Sequence, residues 1–178
     1  REPYPQRDPD VHCVATVDGP HSAGVTRTLD AETTLFLIAS KTCTTQETMT
    51  NAASAKEGLL SKLGAPEAVG SHFAALSTNA SAVSAFGIDT KNMFGFWDWV
   101  GGRYSSWSAI GTSIALAIGW ANLIEFLTGA HARDQPFPPA PFKQNLPLVL
   151  GALGTGYGTS FGAASTATRP HHHYLHGL

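Results

Sequence analysis

The stretch Thr34-Leu35-Phe36-Leu37-Ile38-Ala39, running straight into Ser40-Lys41-Thr42-Cys43-Thr44-Thr45-Gln46-Glu47-Thr48, decides how this chain folds. A compact apolar run between polar flanks is the pattern of a strand buried on both faces, and strands of that kind belong to parallel sheets. From Thr45 to Leu63, the residues Met49, Ala52, Ala53, Leu59, Leu60 and Leu63 recur at helical spacings, so a helix follows the strand directly. Outward from this pair, residues 11–17 read as a short strand and 72–76 as another. Residues 80–86 read as a short helix ended by Gly87, and 93–99 as an aromatic strand. Helices are expected over 108–127 and 146–157. Between them lies Gln135-Pro136-Phe137-Pro138-Pro139-Ala140-Pro141, whose prolines forbid a continuous helix. Strands alternating with helices predict an α/β fold, a three-layer αβα sandwich with a mainly parallel, doubly wound sheet.

Composition narrows the function. With 178 residues, 43% hydrophobic and only 13% charged, the chain has material for a substantial core and is not disordered. A net charge of −2 without a basic block gives a nucleic-acid partner little electrostatic support. The two cysteines, Cys13 and Cys43, are too few for a disulfide scaffold and favour a reducing compartment, hence the cytoplasm. Residues 104–124 and 144–168 carry no charge and are long enough to span a membrane. Ser105, Ser106, Ser108, Thr112, Ser113 and Asn122 in the first, and Pro147 with five glycines in the second, point instead to buried helices and no membrane partner. The opening Arg1-Glu2-Pro3-Tyr4-Pro5-Gln6 has neither an initiator Met nor an apolar signal core, so the chain reads as an excised piece.

The loop between the first strand and its helix is where chemistry is expected. At the carboxyl end of a parallel strand, the following helix presents unpaired N–H groups and the positive end of its dipole. Ser40, Thr42, Thr44, Thr45 and Thr48 add hydroxyls there and Lys41 adds a charge, which suits a phosphomonoester. The glycines of a nucleotide P-loop are absent, so a single sugar phosphate fits better than ATP. The competing reading is a capping box, with Thr44 as the cap and Glu47 as its partner, which needs no ligand. A second candidate is Phe96-Trp97-Asp98-Trp99-Val100-Gly101-Gly102-Arg103-Tyr104-Ser105. Its paired glycines permit a tight turn, and Arg103 would stand at the same sheet edge, able to stabilise negative charge developing on a substrate oxygen. The bland alternative pairs Arg103 with Asp98.

Together these two segments, with Phe73-Ala74-Ala75-Leu76-Ser77-Thr78-Asn79, Phe86-Gly87-Ile88-Asp89, Ser108-Ala109-Ile110-Gly111 and Gly129-Ala130-His131, resemble the phosphoglucose isomerase family. The resemblance implies interconversion of glucose 6-phosphate and fructose 6-phosphate, a step of glycolysis and gluconeogenesis, within a sugar-isomerase fold. It implies no metal, no organic cofactor and a homodimer. Carried over at matching positions, Ser40, Lys41, Thr42, Thr44 and Thr45 hold the phosphate. Cys43 contributes backbone where the family usually has an aromatic residue, and Arg103 steadies the enediolate. The family's catalytic glutamate, histidine and late lysine find no equivalent motif here, so the sandwich is expected to be incomplete and this segment alone inactive. Residues 1–10 are then an irregular entry segment, 11–105 a portion of the sugar-phosphate-binding domain, and 106–178 a helical segment leading toward a second domain. A non-catalytic sugar-phosphate sensor is the alternative, and a signalling role outside cells a more distant one.

Two departures from the family stand out. Gly58, Gly156 and Gly158 replace large apolar or aromatic residues, and the tail His171-His172-His173-Tyr174-Leu175-His176 replaces a polar stretch. Four histidines so close invite a metal, but without a nearby Cys or acidic group a solvated tail is expected.

Overall fold

The computed structural model describes residues 9–135, 137 and 139–165, and of Arg103 the backbone alone. The histidines at 171–173 and 176 and most of the entry segment therefore lie outside the described residues. Those residues form two units that divide between Gly119 and Trp120.

In the first unit, Phe36–Ala39 (β1), Phe73–Leu76 (β2) and Met93–Phe94 (β3) pair in parallel in the order β1-β2-β3. Parallel neighbours need crossovers, and helices supply them. Gln46–Leu63 (α2) and Ala68–His72 (α3) join β1 to β2, and Ala80–Phe86 (α4) joins β2 to β3. The result is an incomplete α/β sandwich. Ahead of the sheet lies Gly19–Thr28 (α1), an element not anticipated above, although Asp18-Gly19-Pro20 is a start signal. The Asp18 side chain accepts from the His21 N–H at 3.0 Å, and a proline occupies the first turn, where its missing donor costs nothing.

β2 is the central strand and is buried at all four residues. Phe73 is fully enclosed, stacked on Phe36 at 4.8 Å between ring centroids and tilted against Phe86 at 5.6 Å. Around it, Ile38, Ala52, Leu59, Val69, Ala75, Val83 and Ile88 form one continuous core, so the apolar stripe of α2 packs as its spacing predicts. Two helix ends in this region are set by left-handed glycines: Gly64 (φ 66°) closes α2 and Gly87 (φ 106°) closes α4.

Four expectations are corrected. Residues 11–17 form no strand; Val17 is exposed and the segment has no ladder partner. β1 is not buried on both faces, because it is an edge strand of the described sheet and only Ile38 is enclosed. The aromatic strand shrinks to Met93–Phe94, after which Gly95 leads into a turn that leaves Trp97 and Trp99 exposed. The helix expected over 108–127 is interrupted at Gly119, whose φ of 84° and ψ of 156° no helix accommodates, giving Thr112–Ile118 (α5) and Trp120–Asp134 (α6).

The second unit holds α6 and Leu146–Ser160 (α7). Asn145 is buried and caps α7 by accepting from the Leu148 N–H at 3.3 Å, while its amide donates to the Phe137 carbonyl. No described helix is long and apolar enough to cross a membrane.

Gly58, Gly156 and Gly158 all face open space, with no atom within 4 Å of where a Cβ would stand. Gly58→Ala in α2 is therefore expected to stabilise the protein by about 1 kcal/mol through helix propensity alone. An unchanged urea midpoint would show that the position is strained in a way its surroundings do not reveal.

Candidate functional site

The site is built where the three strands end. At the head of the first loop, Ser40 is buried; its N–H donates to the Leu76 carbonyl at 3.1 Å, and its hydroxyl lies 3.5 Å from Thr45 Oγ1. Lys41 and Thr42 turn the chain, closed by the Cys43 N–H on the Ser40 carbonyl at 3.3 Å. Cys43 then takes a φ of 51°, the only non-glycine with positive φ among the described residues. Such a conformation is costly for a residue with a Cβ and persists only where its surroundings impose it. Here the Cys43 side chain is held from inside: it packs against the core, and its thiol lies 3.3 Å from Ser77 Oγ.

Thr42, Thr44 and Thr45 are exposed, with Thr42 Oγ1 and Thr44 Oγ1 2.6 Å apart. The cap of α2 is Thr45 rather than Thr44, and it makes no side-chain capping bond. The capping box is thus absent, and the first-turn N–H groups of an 18-residue helix stay available to an anion, flanked by hydroxyls.

The second loop follows β3. Its turn is closed by the Val100 N–H on the Trp97 carbonyl at 3.0 Å. Gly101 is fully extended, and Gly102 adopts a φ of 59° that favours glycine. The backbone of Arg103 sits in the following single turn, Gly102–Tyr104; its side chain, and with it any pairing to Asp98, lies outside what is described. The two loops touch. The Lys41 ammonium donates to the Asp98 carbonyl, and a Cβ on Gly101 would stand 3.8 Å from that ammonium.

A third contributor, unassigned from sequence, is the end of β2. Ser77 is completely buried and donates to the Lys41 carbonyl at 2.9 Å. The Thr78 N–H and hydroxyl donate to the same carbonyl, each at 2.9 Å, and Asn79 Nδ2 donates to the Thr42 carbonyl at 2.9 Å. The available signal was a Ser-Thr-Asn run directly after an apolar strand and ahead of a helix. Among the described residues, no three His, Cys, Asp or Glu side chains gather as metal ligands would.

Ser40, Lys41, Thr42, Cys43, Thr44 and Thr45 are therefore one loop at the carboxyl edge of the sheet, the edge where open α/β folds take their ligands. The turn carrying the Arg103 backbone adjoins it. Among solved structures, that of a hypothetical protein from Thermus thermophilus is similar, with 28% identity and a TM-score of 0.66 over 81% of this chain. The match spans 34% of that longer chain, so these residues correspond to about a third of it. The family model described as phosphoglucose isomerase matches residues 2–178, which cover the loop, its clamp and the arginine turn alike. On that match over nearly its whole length, the chain belongs to the phosphoglucose isomerase family.

Proposed function

We propose that the protein interconverts glucose 6-phosphate and fructose 6-phosphate through a cis-enediol, with this segment supplying the phosphate cradle and the stabilising cation. One observation carries the reading beyond family membership. The hydroxyl loop at the head of α2 and the turn leading to Arg103 are joined directly, by Lys41 on the Asp98 carbonyl. An anion held at one end of a sugar and a charge developing at the other need two electropositive elements in fixed relation, and this contact supports such an arrangement.

In this reading the hydroxyls of Ser40, Thr42, Thr44 and Thr45, with the free N–H groups of the first turn of α2, hold the phosphate. That group does not react, so its binding orients the sugar. The guanidinium of Arg103 lowers the energy of the enediolate. The carboxylate that shuttles the proton between carbons is assigned to no residue of this stretch.

The test is an isomerase assay with fructose 6-phosphate on the purified protein carrying this segment. Turnover supports the reading; saturable binding without turnover would make it a sensor. Thr45→Ala should raise KM about tenfold with kcat within about twofold, the signature of lost uniform binding. An unchanged KM would remove Thr45 from the cradle. A homodimer in the cytoplasm belongs to the same reading, and a monomer by sedimentation at assay concentration would remove that part.

A further inference from the structure

We propose that Ser77 and Asn79 are positioning residues for anion binding, shaping the phosphate loop from behind through its carbonyls. The proposal deepens the reading above and rests on it.

The argument starts from peptide geometry. In a planar trans peptide the C=O and the N–H point in opposite directions, so fixing one aims the other. Ser77 Oγ and Thr78 draw the Lys41 carbonyl toward the end of β2, each contact at 2.9 Å. The N–H of the same peptide, that of Thr42, is thereby turned outward, where it donates to none of the described residues. Asn79 Nδ2 draws the next carbonyl, that of Thr42, in the same direction at 2.9 Å. Its peptide partner, the Cys43 N–H, is turned back onto the Ser40 carbonyl at 3.3 Å and closes the turn.

The Ser77 hydroxyl has no spare capacity. It donates to the Lys41 carbonyl and lies within reach of two donors, the Asn79 N–H at 3.2 Å and the Cys43 thiol at 3.3 Å. One donor and two lone pairs are the whole inventory of a serine side chain, and all three are engaged at a fully buried position. These ties are made within the protein and hold Cys43 in its left-handed conformation, so in this proposal an arriving phosphate meets a finished cradle and spends little binding free energy on ordering it.

Asn79 divides its work by atom. Oδ1 caps α4 by accepting from the Ala82 N–H at 3.0 Å, while Nδ2 reaches the loop. Asn79→Ser separates the two, because serine is also a good cap but lacks the second arm. The measurements are calorimetric titration with fructose 6-phosphate and with inorganic phosphate, steady-state kinetics, and urea unfolding, all on the full protein.

Asn79→Ser is expected to raise Kd for both probes and KM by about tenfold, with kcat within about twofold and an unchanged unfolding midpoint. Ser77→Ala, which leaves the cap intact, should shift Kd and KM in the same direction and serves if the first variant does not fold. Variants that bind as wild type does, or that lose stability without any change in Kd and KM, overturn the positioning role alone. A wild-type protein that binds neither probe overturns the sugar-phosphate reading, and this proposal with it.

Discussion

With Arg103 replaced by alanine, the protein carrying this segment is expected to lose about a hundredfold or more in kcat on fructose 6-phosphate, while KM moves by less than about threefold. The asymmetry follows from when the cation matters. A neutral ground-state sugar gains little from a guanidinium, whereas an enediolate oxygen carries a full developing charge. The backbone around the turn is in keeping with that proposed role. Gly102, at a φ of 59°, sets the entry to the turn that carries Arg103, and Lys41 ties the preceding Asp98 carbonyl to the phosphate loop. Arg103→Lys should recover only part of the loss, since an ammonium lacks the planar fork. Steady-state kinetics decide the matter: a wild-type kcat in Arg103→Ala would remove the residue from the chemistry.

Phe73→Ala should have the largest effect on stability, about 4 kcal/mol by chemical denaturation. The ring is fully buried in the central strand and packs against Phe36 and Phe86 from the neighbouring strand and helix, so its loss leaves a cavity bordered by both rings. A marginally stable domain has little more than that in reserve. A cost below about 1 kcal/mol would mean that the flanking rings close over the gap, and that the core is more plastic than its packing suggests.

How far the sequence could be read depended on whether a signal was local. The succession of β1 and α2, the short α4 ended by Gly87, and the end of β2 were all legible, because apolar spacing and a left-handed glycine act within a few residues. The valines at 11, 14 and 17 carry strand propensity, but a strand exists only with a partner, and none is provided there. Gly119 lies inside an apolar pattern that reads as one helix; only its backbone angles reveal the break. At the candidate site, the hydroxyl loop was visible because its composition is unusual. The cap was misplaced by one residue, since Thr44 and Thr45 are chemically alike and only hydrogen bonding tells them apart. Ser77 and Asn79 stand in a family-like segment, but the sequence alone assigns them no role, for a different reason. Their bonds to the loop span 36 and 37 residues of chain, a separation that no local pattern encodes.

The strand order in space repeats the order along the chain, β1 then β2 then β3. A polypeptide leaving the ribosome N-terminus first can therefore assemble the pocket from one side, each new strand docking on the last without displacing anything already paired. Apart from the reach of Lys41 to the Asp98 carbonyl, the hydrogen bonds that shape the hydroxyl loop come from residues up to Asn79, so most of that loop can be in place while the turn that bears Arg103 is still being synthesised. On the proposed reading, grip comes before chemistry in the history of each molecule, and a nascent chain stalled between the two would bind a sugar phosphate without converting it.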